Sequence, residues 1–140
     1  MSRPGRSLLR PYLVVAGVVL FGQGAASLLM RAAGRDPHGS TRLLSDPAHA
    51  TIHLVWGALV LGVLASRLGA AIEARLAVAF GVFYVGLLAL GVAVHHPFGL
   101  MIDAKENAFH AVVGPLALIL GLHAMLTGRR PRTGHPTEAR

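Results

Sequence analysis

Residues 46–57 read Asp46-Pro47-Ala48-His49-Ala50-Thr51-Ile52-His53-Leu54-Val55-Trp56-Gly57, and the run then stays apolar through Ala65. Asp before Pro is a helix-start signal: the carboxylate caps exposed N–H groups, and proline suits the first helical position. The helix it opens approaches the ~20 residues that a bilayer core requires. Two imidazoles four residues apart stand near its beginning, on one face of the predicted helix. An apolar helix of this length carrying a polar stripe at its entrance reads as a membrane span with something to do at one end.

Three other stretches share that character. The predicted spans cover residues 11–30, 48–65, 72–94 and 105–127. They make one membrane domain over residues 11–127, flanked by a basic N-terminal segment 1–10 and a tail 128–140 expected to be disordered. Charged residues are only 14% of the chain, against roughly 25% in ordinary soluble domains. The fold expected is all-α, a four-helix transmembrane bundle. In the first span the apolar character runs on through Leu28, Leu29 and Met30, past the small residues Gly24-Ala25-Ala26. It therefore reads as a span and not as a cleaved leader. Span three is expected to stop at His95-His96-Pro97, since proline disfavours helix in the residue before it.

The polar stripe occurs twice. Asp46, His49, His53 and Gly57 recur in register as Asp103, Glu106, His110 and Gly114, at offsets of 0, 3, 7 and 11. Such offsets share one helical face. Because each copy comes after a span and a loop, the repeat predicts two parallel helical hairpins, with spans two and four facing each other. Glycines at 57, 62, 81, 86, 91, 114 and 121 suit close backbone approach, the usual interface between helices in lipid. Pro115 leaves the carbonyl of Ala111 without its helical donor and predicts a bend there.

The formal charge of +7 does not indicate nucleic acid. The basic residues sit in the ends and loops rather than on a recognition helix interleaved with aromatics. Nine of the 13 Lys and Arg fall in the N-terminal segment, the 66–75 loop and the tail; Arg31, Arg35, Arg42 and Lys105 fall on the other side. The positive-inside rule then puts both termini in the cytoplasm and both stripes at the extracytoplasmic ends of spans two and four. The localisation expected is the inner (plasma) membrane, multi-pass. The absence of cysteine excludes disulfides, thiolate nucleophiles and Cys-ligated metal centres.

Imidazoles and carboxylates at helical spacing can chelate a metal. The candidate ligands are His49, His53, Glu106 and His110, with Asp46, Asp103, His95 and His96 as outer groups that would orient them. His53 and His110, facing each other, would also suit the two axial positions of a haem. His123 lies 13 residues beyond His110, about 20 Å along a helix, and belongs to neither arrangement. The competing reading is structural. The same side chains would hydrogen-bond across helices, contacts worth about 0.6–2 kcal/mol each. A proton path would need polar groups spaced through the membrane, and Gln23, Ser27, Tyr84 and His123 are too few.

The runs His49-x-x-x-His53-Leu54-Val55-Trp56-Gly57 and Glu106-Asn107-Ala108-Phe109-His110-x-x-x-Gly114 resemble signatures of a family of small bacterial four-span membrane proteins. That family is catalogued only as a domain of unknown function. The resemblance covers residues 10–127 and rests on His49, His53, Gly57, Asn107, His110 and Gly114. The chain departs from the family pattern after the first histidine, where Ala50 or Thr51 stands in place of an asparagine, and at Glu106, where the family tends to have Asp. It also has Leu100-Met101-Ile102-Asp103 in place of a Pro-x-Asn stretch. The resemblance implies the fold and no established activity.

No nucleophile or general-base arrangement emerges, so a non-enzymatic role leads. The expected function is a small integral membrane protein of structural or accessory-subunit type, with an extracytoplasmic His/Asp/Glu cluster. The alternative is a metal- or haem-binding protein using that cluster, with a divalent metal or haem as the cofactor. The partners expected are the lipid bilayer and another membrane protein or a second copy of the chain, with no nucleic acid.

Overall fold

The computed structural model describes residues 4–35, 46–94, 100, 102 and 104–128. It contains α1 (Pro4–Ala32), α2 (Pro47–Ser66), α3 (Ala70–Ala93) and α4 (Ala104–Gly128). The expected tail beyond 128 lies outside the described residues. Each helix holds a stretch long and apolar enough to cross a membrane. Large apolar side chains point outward on every helix, among them Leu29, Val55, Val92 and Ile119, all more than half exposed. A helix that is apolar on all sides cannot rest in water, and these outer faces suit hydrocarbon.

Helix starts obey local chemistry. Asp46 caps α2, its Oδ1 accepting from the N–H groups of Ala48 at 2.9 Å and His49 at 3.0 Å, with Pro47 at the first position. α1 begins at Pro4, ahead of Pro11, which lies inside the helix. Arg10 is thus a helical residue with partners on two other helices: it pairs with Glu73 of α3 and donates to the Leu64 carbonyl of α2 at 3.2 Å. A short turn, Arg67–Gly69, joins α2 to α3, and Gly69 takes a φ of 98° that a side chain would strain.

Two hairpins make the bundle. α1 packs along α2 and α3 along α4, whereas contact between the hairpins is thinner and runs mainly through α1 and α4. Inside each hairpin the backbones touch at glycine. A Cβ built on Gly24 would lie 2.6 Å from both the Ala50 carbonyl oxygen and the Leu54 nitrogen, and one on Gly57 would strike the Phe21 backbone. In the second hairpin a Cβ on Gly81 would lie 2.6 Å from the Leu118 nitrogen, and one on Gly114 2.9 Å from the Val85 nitrogen. Gly91 and Gly121 are likewise occluded, by Asn107 and by Val78. Gly62 and Gly86 meet nothing within 4 Å. These two face outward and take no part in the packing that glycine spacing predicts for them.

The hairpins meet through side chains. Trp56 of α2 sets its ring 5.4 Å from Phe80 and 5.3 Å from Phe83 of α3. Tyr12 of α1 donates its hydroxyl to the Val113 carbonyl of α4 at 2.7 Å, two residues before Pro115. The α2 and α4 backbones touch least of all the pairs, and aromatic and imidazole rings cross the space between them.

Candidate metal centre

Three helix positions converge in that space. The Asp46 cap fixes where α2 begins, which puts His49 in its first turn and His53 one turn further on the inward face. His110 comes from α4 one turn before Gly114, whose close fit against Tyr84 and Val85 sets the depth at which it enters. Relative exposure is 0% for His49, 1% for His53 and 0% for His110. Burial this complete matters because imidazole carries polar nitrogens whose desolvation is costly unless they are satisfied.

The rings form a compact triangle. His49 and His53 centroids lie 4.5 Å apart, His49 and His110 5.3 Å, and His53 and His110 6.4 Å. One nitrogen from each can be chosen so that all three lie within 4.8 Å of one another. In a tetrahedral site with metal–nitrogen bonds of 2.0–2.1 Å, ligand nitrogens stand about 3.4 Å apart. Rotating the side chains by about 1 Å would close the remaining gap.

Partners for these nitrogens are scarce. Nε2 of His49 and both ring nitrogens of His53 and His110 are buried with no hydrogen-bond partner among the described residues. His49 Nδ1 differs, lying 3.1 Å from Oε2 of Glu106, within ion-pair distance although off hydrogen-bond alignment. Glu106 stands outside the three-histidine group. Asp46 serves the α2 cap. Asp103, His95 and His96, the remaining outer groups expected from the sequence, lie outside the described residues.

Two aromatic rings flank the His53–His110 side of the triangle. Tyr84 of α3 places its ring 5.2 Å from His110 and 6.1 Å from His53, and Phe109 lies 5.8 Å and 6.0 Å from His53 and His110. The Tyr84 hydroxyl is buried without a partner among the described residues, as are Ser27 Oγ and Asn107 Oδ1. In the sequence Tyr84 is one of a few scattered polar groups. The signal that could have placed it is the inward face it shares with Phe80, Gly81, Leu87 and Gly91. His123, in contrast, is exposed.

The arrangement can therefore offer three imidazole nitrogen ligands to one ion at a buried place flanked by Tyr84 and Phe109. Imidazole ligands suit zinc, copper, iron and nickel. Comparison with protein-family models, curated proteins and solved structures finds no match to this chain.

Proposed function

We propose that this chain is a small accessory-type membrane protein whose two hairpins are clasped by a transition-metal ion at His49, His53 and His110. The observation that carries the proposal is the set of five buried, unpartnered ring nitrogens converging from both hairpins. A metal-free structural role would require those nitrogens to bond across helices, and a buried polar group left unsatisfied costs about 1–3 kcal/mol. An ion converts that cost into ligation. Three protein ligands leave a tetrahedral ion one position for water or a small ligand.

Haem fits less well. A porphyrin between His53 and His110 would need the space filled by His49, Tyr84 and Phe109. The distribution of Lys and Arg supports cytoplasmic termini and an extracytoplasmic site in the plasma membrane. The repeated stripe supports two parallel hairpins related by an axis along the membrane normal. Membership in the four-span family of unknown function rests on the same residues.

Titration of untagged, detergent-solubilised protein with Co(II) tests the proposal. One equivalent should develop the visible absorption of a tetrahedral nitrogen site, and His53→Ala and His110→Ala should each abolish it while remaining helical. Failure of the wild-type protein to bind Co(II), Zn(II) or copper ions above background would refute the site.

A further inference from the structure

Helical spacing makes Glu106 a candidate ligand beside His110. The structure separates their roles. On α4 the two residues stand one turn apart, but the Glu106 carboxylate is not part of the cluster whose ligand atoms gather within 4.8 Å. It reaches instead across to the other hairpin, where Oε2 lies 3.1 Å from Nδ1 of His49. Its side chain is only 17% exposed, so the contact sits largely out of solvent.

We infer that Glu106 is a positioning residue for the centre: its carboxylate holds His49 by Nδ1, which leaves Nε2 to face the ion. The inference rests on the metal reading above. An imidazole has two nitrogens, and the bond made by one decides which is offered as ligand. Ligating histidines regularly give their second N–H to a carboxylate, which fixes tautomer and ring orientation and makes the ligand more basic. Glu106 stands at that position for His49, its Oε2 3.1 Å from Nδ1 although off hydrogen-bond alignment, and Nε2 is buried and unbonded among the described residues. Asp46 handles a different task, bonding the His49 backbone through its Oδ1. One acid thus sets where the residue sits and the other how its ring turns.

Charge points the same way. Three neutral imidazoles give a cation no compensation, and a charge in a low-dielectric interior is costly when unpaired. A carboxylate behind His49 supplies a negative charge without taking a coordination position. α4 then contributes both a ligand, His110, and the group that aims a ligand on α2. The site is complete only when the hairpins are docked.

The test uses full-length protein in detergent, with wild type, Glu106→Gln and Glu106→Ala compared in chelator competition for Co(II). Both variants should keep one ion per chain and a tetrahedral Co(II) spectrum, with affinity reduced about 10–100-fold. Glu106→Gln, which keeps an acceptor oxygen, should lose less than Glu106→Ala. Pulsed EPR on the Cu(II)-loaded protein should show one remote imidazole nitrogen altered in Glu106→Ala. Affinity within twofold of wild type, with unchanged remote-nitrogen signals, would overturn the positioning role and leave the metal site standing. Loss of the tetrahedral spectrum in both variants would overturn it too, by making Glu106 a ligand. A wild-type protein that takes up no ion would refute the metal reading itself.

Discussion

Gly57→Ala should weaken the protein, while Gly62→Ala, five residues along the same helix, should not. The Cβ added at Gly57 would lie 2.7 Å from Phe21 Cα and 2.8 Å from Phe21 Cβ, and closer still to the Phe21 nitrogen. Carbon atoms prefer about 3.5–4.0 Å, so α1 and α2 would have to part by about 1 Å. The obstruction is backbone, which cannot step aside as a flexible side chain can. Overpacking of this kind typically costs about 1–3 kcal/mol. At Gly62 the same methyl meets nothing within 4 Å, and replacing a mid-helix glycine by alanine favours the helix by up to about 1 kcal/mol. That gain is common to both positions, so the two variants should differ by the overpacking cost, about 1–3 kcal/mol. Reversible unfolding in mixed micelles, monitored by circular dichroism, measures that gap. Equal stability of the two variants would refute the assignment of Gly57 to a backbone contact, and with it the packing of the first hairpin.

Asp46→Ala should cost about 1 kcal/mol of stability through the lost helix cap, measured in the same unfolding assay, and should weaken metal uptake because His49 lies in the freed turn. Addition of Zn(II) at about 100 times its dissociation constant should stabilise the wild-type protein by about 2.7 kcal/mol, read from the unfolding midpoint, with no effect on His53→Ala. Metal uptake should fall as pH is lowered, since protons compete for the ligand nitrogens; equilibrium dialysis across a pH series checks the sign. Arg10→Ala should destabilise more than Glu73→Gln, because it strands a buried carboxylate whereas the amide removes the charge. Metal content measured on both should match wild type, since the pair belongs to a different part of the bundle.

The four helices were legible because hydrocarbon demands length and apolarity, and both are written in the composition of each stretch. The Asp46-Pro47 start was legible because capping is local chemistry between adjacent residues. His49, His53 and His110 announced themselves as costly groups on one face of apolar helices. Their convergence required tertiary structure, because a helix apolar on all sides does not declare which neighbour it will meet. The same lack of pattern hid the outward aim of Gly62 and Gly86, the place of Tyr84 beside His110, and the tie from Arg10 to Glu73. Arg10 is a charge at the end of a span, yet a count of charges carries no information about partners. Glu106 shows the limit most clearly. Helical spacing put it beside His110, but only the packing of the second hairpin against the first turned it toward His49.

The most direct test is elemental analysis of untagged protein purified from native membranes without chelator, beside a His49→Ala/His53→Ala/His110→Ala variant handled identically. The account predicts close to one transition-metal ion per wild-type chain and none in the variant. Wild-type protein that is fully helical and monodisperse yet carries no more metal than the variant, even after supply of zinc or copper, would contradict it.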